Sequence, residues 1–97
     1  MKERILTKHP QKGKSGVNIS KQKYDVIRES IVTALRAAGE TAFKDLTEEI
    51  CHKLAGHFDG FISWYVTTVK LDLEARGIIE RVPQKTPQQL RLVEKES

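Results

Sequence analysis

FISWYVTTVKLDLEARGII, residues 61–79, changes its period near the end. Wound at 3.6 residues per turn, Ile62, Val66, Val69 and Leu73 fall on one apolar stripe that needs a core to pack against. Gly77 stands where a left-handed helix cap is wanted, and Ile78 and Ile79 then open a β-branched, extended segment. Helix therefore gives way to strand at Gly77. Two short β-prone runs follow, 78–82 and 89–93, with Pro83 and Pro87 in the gap. Neither proline can donate a ladder hydrogen bond, so they bound the strands and leave a loop tip. The result is a β-hairpin joined directly to a helix.

Upstream, Ser20 is placed to cap a first helix over residues 20–38, with Tyr24, Ile27, Ile31, Ala34, Leu35 and Ala38 on one side and Gly39 as its stop. Residues 40–43 are too short to stand alone but could add a third strand to the hairpin. A second helix is expected to begin at Asp45, where Asp45-Leu46-Thr47-Glu48 fits a capping box, with Leu46, Ile50 and Leu54 facing inward. Gly56, Asp59 and Gly60 then break that helix and make a turn longer than the three or four residues usual between paired helices.

The string Leu73-Glu74-Ala75-Arg76-Gly77-Ile78-Ile79, followed by a hairpin, resembles the end of the recognition helix and the wing of a winged helix-turn-helix domain. The resemblance covers residues 24–93. The chain is also similar to bacterial winged-helix-like proteins that combine a lead segment, here His9-Pro10 and Gly16-Val17-Asn18-Ile19, with a helix like that from Trp64 to Gly77. The fold expected is mainly α with a small antiparallel β-hairpin wing: a basic extension over residues 1–19, then a winged helix-turn-helix domain with a three-helix core over 20–97. The resemblance implies a non-catalytic, transcription-regulator-like domain that binds double-stranded DNA.

Ninety-seven residues suit one domain that needs no metal or disulfide staple. Cys51 is alone, so it cannot pair within the chain. No run approaches a membrane span, and the first residues lack the apolar stretch of a secretion signal, so a cytoplasmic setting is expected. The net charge of +4 is unevenly spread. Up to Lys23 the chain has seven basic side chains against Glu3 alone, whereas the remainder has ten basic and twelve acidic ones. The lead segment is the basic part, and Pro10, Gly13 and Gly16 argue against a helix there. It is either a mobile tail or lies along the domain through Ile5, Leu6, Val17 and Ile19. The polar residues 94–97 are expected to fray.

Enzyme readings fail for want of titratable groups converging in a pocket. Cys51, His52 and His57 lack the spacing of a structural metal site, so no metal and no cofactor is expected. Gly13-Lys14-Ser15 matches the end of a phosphate-binding loop, but Lys8 stands where an earlier glycine is required and no strand precedes it.

If the resemblance holds, Ser63, Thr67 and Lys70, with Glu74 beside them, lie on the groove-facing side of the third helix. Arg81, Lys85 and Arg91 belong to the wing, and Lys12, Lys14, Lys21 and Lys23 to the basic segment; all are candidate nucleic-acid contacts. Base reading favours Arg, Asn or Gln, and this helix has none before Arg76, so sequence specificity should be weak. A competing reading comes from Trp64, Thr68, Leu71 and Ala75, which recur on the side opposite the core stripe. Two apolar stripes mean two things pack on one helix. The second occupant is the chain's own lead segment, a second copy in a homodimer, or ordinary core. The dimer makes the chain a protein-interaction module that does not bind DNA.

Overall fold

The computed structural model describes residues 3–93; Met1, Lys2 and the polar tail 94–97 lie outside them. Three helices and two small antiparallel sheets form a mixed α/β fold. In chain order the elements are β1 (Arg4–Leu6), β2 (Asn18–Ser20), α1 (Lys21–Ala38), β3 (Glu40–Ala42), α2 (Phe43–Leu54), α3 (Ile62–Ala75), β4 (Ile79–Arg81) and β5 (Gln89–Leu92). Among the described residues no helix is long and apolar enough to cross a membrane.

The apolar periodicities converge on one core. Ile27, Ile31 and Leu35 of α1, Leu46 and Ile50 of α2, and Val66, Val69 and Leu73 of α3 are each at most 1% exposed. Ser20 caps α1 by accepting the Lys23 N–H, and the Gly39 N–H closes the other end on the Leu35 carbonyl. At the end of α3, Gly77 takes φ of 75°, the Ile78 N–H reaches back to the Leu73 carbonyl and the Gly77 N–H to that of Glu74. Those two bonds are a Schellman cap, and they aim the chain straight into β4. Strand β5 lies between β3 and β4, pairing Leu90 with Thr41 on one side and with Arg81 on the other.

Helix α2 begins two residues before the expected capping box, at Phe43, and Ala42 caps it with no side-chain bond. The orphan N–H of Phe43 is satisfied by the Gln88 carbonyl at the start of β5, at 2.9 Å. The sheet therefore does the work assigned to Asp45, which sits in the first turn where its charge favours the helix dipole.

The lead segment is a ribbon. Arg4, Ile5 and Leu6 pair with Ser20, Ile19 and Asn18, and the Thr7 N–H extends the pairing to the Val17 carbonyl. Strand alternation sends Ile5 and Ile19 together against the core and Leu6 to solvent, where it is 65% exposed. Val17 is exposed as well, so two of the four apolar residues expected to hold the segment do so. At Gly16 the ribbon has no room for a side chain, since a Cβ there would collide with the Thr7 carbonyl.

Beyond β1 the ribbon is pinned to α3 by Asp72, which is fully buried. Its carboxylate accepts the Lys8 backbone N–H at 2.8 Å, the Tyr24 hydroxyl from α1, and the Arg76 Nε at 2.9 Å to each oxygen. A buried carboxylate is tolerable only when its lone pairs are filled this way. Burial, and then the bond to Asp72, push the Tyr24 phenol up to about 12.

Two measurements follow from this packing. Changing Ile19 to Ala should cost about 2–4 kcal/mol in urea unfolding, while Leu6→Ala should change stability by less than about 0.5 kcal/mol; a loose ribbon would make both neutral. Tyr24→Phe removes one donor to Asp72 and should cost about 1–2 kcal/mol at pH 7. In the unfolded chain the phenol ionises near the ordinary value of 10.0, whereas in the fold it stays protonated up to about 12. Its stabilisation is therefore complete below about pH 10 and lost as pH rises toward 12. The gap between wild type and Tyr24→Phe should close over that window.

Candidate nucleic-acid interface

The two halves of α3 have different surroundings. In the second half Val69, Lys70, Asp72 and Leu73 are buried and Leu71, Glu74 and Ala75 half-buried. His9, Pro10 and Gln11 of the ribbon line one hollow with Leu71, Glu74 and Arg81. Of the second apolar stripe, Leu71 thus lies beside the chain's own ribbon. Thr68 is half-buried, and Trp64, at the other end of that stripe, stays 47% exposed.

Lys70 corrects the expected groove face. It is 3% exposed, with its ammonium 3.3 Å from Glu74 Oε2 and 5.0 Å above the Phe43 ring. Burial lowers its pKa and the Glu74 charge opposes that shift. The start of α2 at Phe43 closes this side of α3, so neither Lys70 nor Glu74 faces solvent as the helical wheel suggested. Ser63 and Thr67 are exposed as expected, and the Thr67 hydroxyl donates to the Ser63 carbonyl at 3.1 Å.

The wing cations are engaged. Arg81 donates to Glu74 at 2.9 Å, Arg91 to Glu80 at 2.6 Å and Lys85 to Glu40 at 2.6 Å. On α1, Lys21 pairs with Asp25 at 2.9 Å. Exposed pairs of this kind are weak and can exchange for a phosphate, but each carboxylate cancels part of the local field. Lys12, Lys14 and Lys23 have no carboxylate partner among the described residues. Lys12 and Lys14 flank Gly13 at the exposed tip of the ribbon, beyond the hollow over the second half of α3.

Lys23 belongs to a cluster that the helical wheel did not bring together. Its ammonium lies 5.3 Å over the Tyr65 ring and 5.8 Å over that of Phe58. Tyr65 meets Phe58 edge-on at 5.1 Å and Trp64 edge-on at 4.9 Å. Beside them an open hollow of about 440 Å³ is lined by Arg4, Lys23, Val26, His57 and Asp59 among others. The Arg4 guanidinium donates to the Asn18 side chain and carbonyl rather than to a carboxylate. Phe61, immediately before α3, is 84% exposed.

The turn from α2 makes this display possible. Gly60 takes φ of 131°, which L side chains rarely adopt, and a Cβ there would lie 2.8 Å from Tyr65 Cε2. The chain can therefore wrap closely around the Tyr65 ring and release Phe61 outward. Phe61 precedes α3 in an extended conformation, and Trp64 and Tyr65 follow in its first turn. Cys51 is half-buried in α2, while His52 and His57 are exposed.

Neither the curated proteins nor the solved structures yield a significant match to this chain. Residues 4–90 match a family of unknown function, DUF6958, over a span that takes in both the β1–β2 ribbon and the aromatic cluster. The chain belongs to that family.

Proposed function

We propose that this chain is a non-catalytic nucleic-acid-binding domain of winged-helix arrangement, transcription-regulator-like and cytoplasmic, with little sequence specificity. The order of helix, short strand, two helices and hairpin, with the sheet order β3-β5-β4, supports the winged-helix reading. One observation carries the function: the half-buried Tyr65 ring joins the exposed Trp64 on one side to Lys23 on the other, a cation without a carboxylate partner among the described residues. Rings offer stacking and free cations offer phosphate contacts, which together are the chemistry of nucleic-acid binding. Ser63 and Thr67 add hydroxyls for phosphate or sugar oxygens. Weak specificity follows because the exposed positions of α3 carry no Arg, Asn or Gln to read a base edge.

Phe61 also favours a second reading. A phenylalanine this open, on a surface that also exposes Val26 and Trp64, is the kind of apolar side chain that marks a protein interface. A homodimer built on it would have about twice the 11.0 kDa mass of the chain in light scattering.

Fluorescence anisotropy with labelled oligonucleotides separates the readings. Affinity should fall steeply between about 50 and 200 mM salt. Replacing Lys12, Lys14 and Lys23 together by Gln should flatten the slope of log affinity against log salt by about 2–3. Absence of binding at the lowest salt, with a dimer in scattering, would overturn the nucleic-acid reading in favour of the interface.

A further inference from the structure

We infer that the start of α3 is a stacking platform for unpaired bases, so that the preferred ligand is a single-stranded nucleic acid. This rests on the nucleic-acid reading and narrows it. Phe61, the extended residue that precedes α3, is 84% exposed, and Trp64 in its first turn is 47% exposed. Bases inside a duplex are already stacked on both sides, so two open rings gain little from them; unpaired bases can lie directly on the rings. The burial of α3 points the same way. A helix reading a duplex lies along the major groove with its outer side clear, but Leu71, Glu74 and Ala75 of α3 are half-buried, and the ribbon lies beside Leu71 and bonds Asp72.

Charge complements the rings. Lys23 and Arg4 line the adjoining hollow together with one acidic residue, Asp59. Lys12 and Lys14 follow Gln11, which shares a hollow with Leu71 and Glu74 of α3, and stand on the ribbon tip without carboxylate partners among the described residues. The fourteen residues of α3 give it a length of roughly 20 Å at 1.5 Å per residue. Ser63 and Thr67 are exposed on its first two turns. A short flexible strand can follow this track with its backbone on the lysines and its first bases on Phe61 and Trp64. Stacking tolerates any base, which agrees with the lack of base-reading side chains.

Trp64 is the only tryptophan, so its fluorescence reports on the platform alone. The probes are twelve-nucleotide oligo-dT, oligo-rU and a twelve-base-pair mixed-sequence DNA duplex, titrated at about 100 mM salt. Both single strands should quench Trp64 and bind at least ten times more tightly than the duplex. By anisotropy, Phe61→Ala and Trp64→Ala should each weaken single-strand binding by about five- to a hundred-fold, with circular dichroism unchanged because both rings are exposed. Duplex binding as tight as single-strand binding, with Trp64 fluorescence unmoved, would overturn the platform and leave the broader nucleic-acid reading standing. No binding of any probe at 50 mM salt would overturn both.

Discussion

One buried carboxylate ties together three segments that are far apart in the chain. Asp72 stands on α3, takes the Tyr24 hydroxyl from α1 and the Lys8 amide from the ribbon, and is held by Arg76 one turn further on. An ion in an apolar core is unfavourable unless hydrogen bonds replace its water. Here both carboxylate oxygens are engaged, so the cost of burial becomes a constraint on geometry. The ribbon has to cross α3 at one place for the bonds to exist. Ile5 and Ile19 hold one end of it against the core, but the direction in which it continues is set at Lys8.

The division of labour along α3 follows from that crossing. Its second half is bonded to the ribbon at Asp72, lies under Phe43 at Lys70, and is tied to the hairpin by the Glu74–Arg81 pair. Its first two turns remain open, and they show rings and hydroxyls rather than charge. A strongly basic sequence thus folds into a surface where most wing cations are already matched with carboxylates and a few are left beside aromatic side chains. That contrast supports a ligand that brings its own negative charge and has flat faces to stack.

The parts legible in the sequence were those governed by one period at a time. The limits of α1, the core stripe of α3, the small third strand and the hairpin all follow from spacing, caps and prolines. The doubled stripe on α3 also announced a second occupant, and the basic segment was among those considered. Polar residues inside the core were not legible, because a helical wheel treats Asp72 and Lys70 as surface. A better signal lay in Tyr24: a tyrosine on the core face needs an acceptor for its hydroxyl, and α3 had to supply it. The start of α2 was misplaced because its first N–H is satisfied by Gln88, forty-five positions away, which no local capping rule can see. Phe61 belonged to neither stripe, and its outward position depends on the backbone at Gly60.

Hydrogen exchange at the Lys8 amide tests most directly whether Asp72 pins the ribbon, since that N–H donates to the carboxylate. In the native protein it should exchange as slowly as core amides such as that of Val69, and in Asp72→Asn it should speed up well before Val69 does. Exchange at the rate of an unstructured peptide in the wild type, with Val69 still protected, would contradict the pinning of the ribbon to the second half of α3.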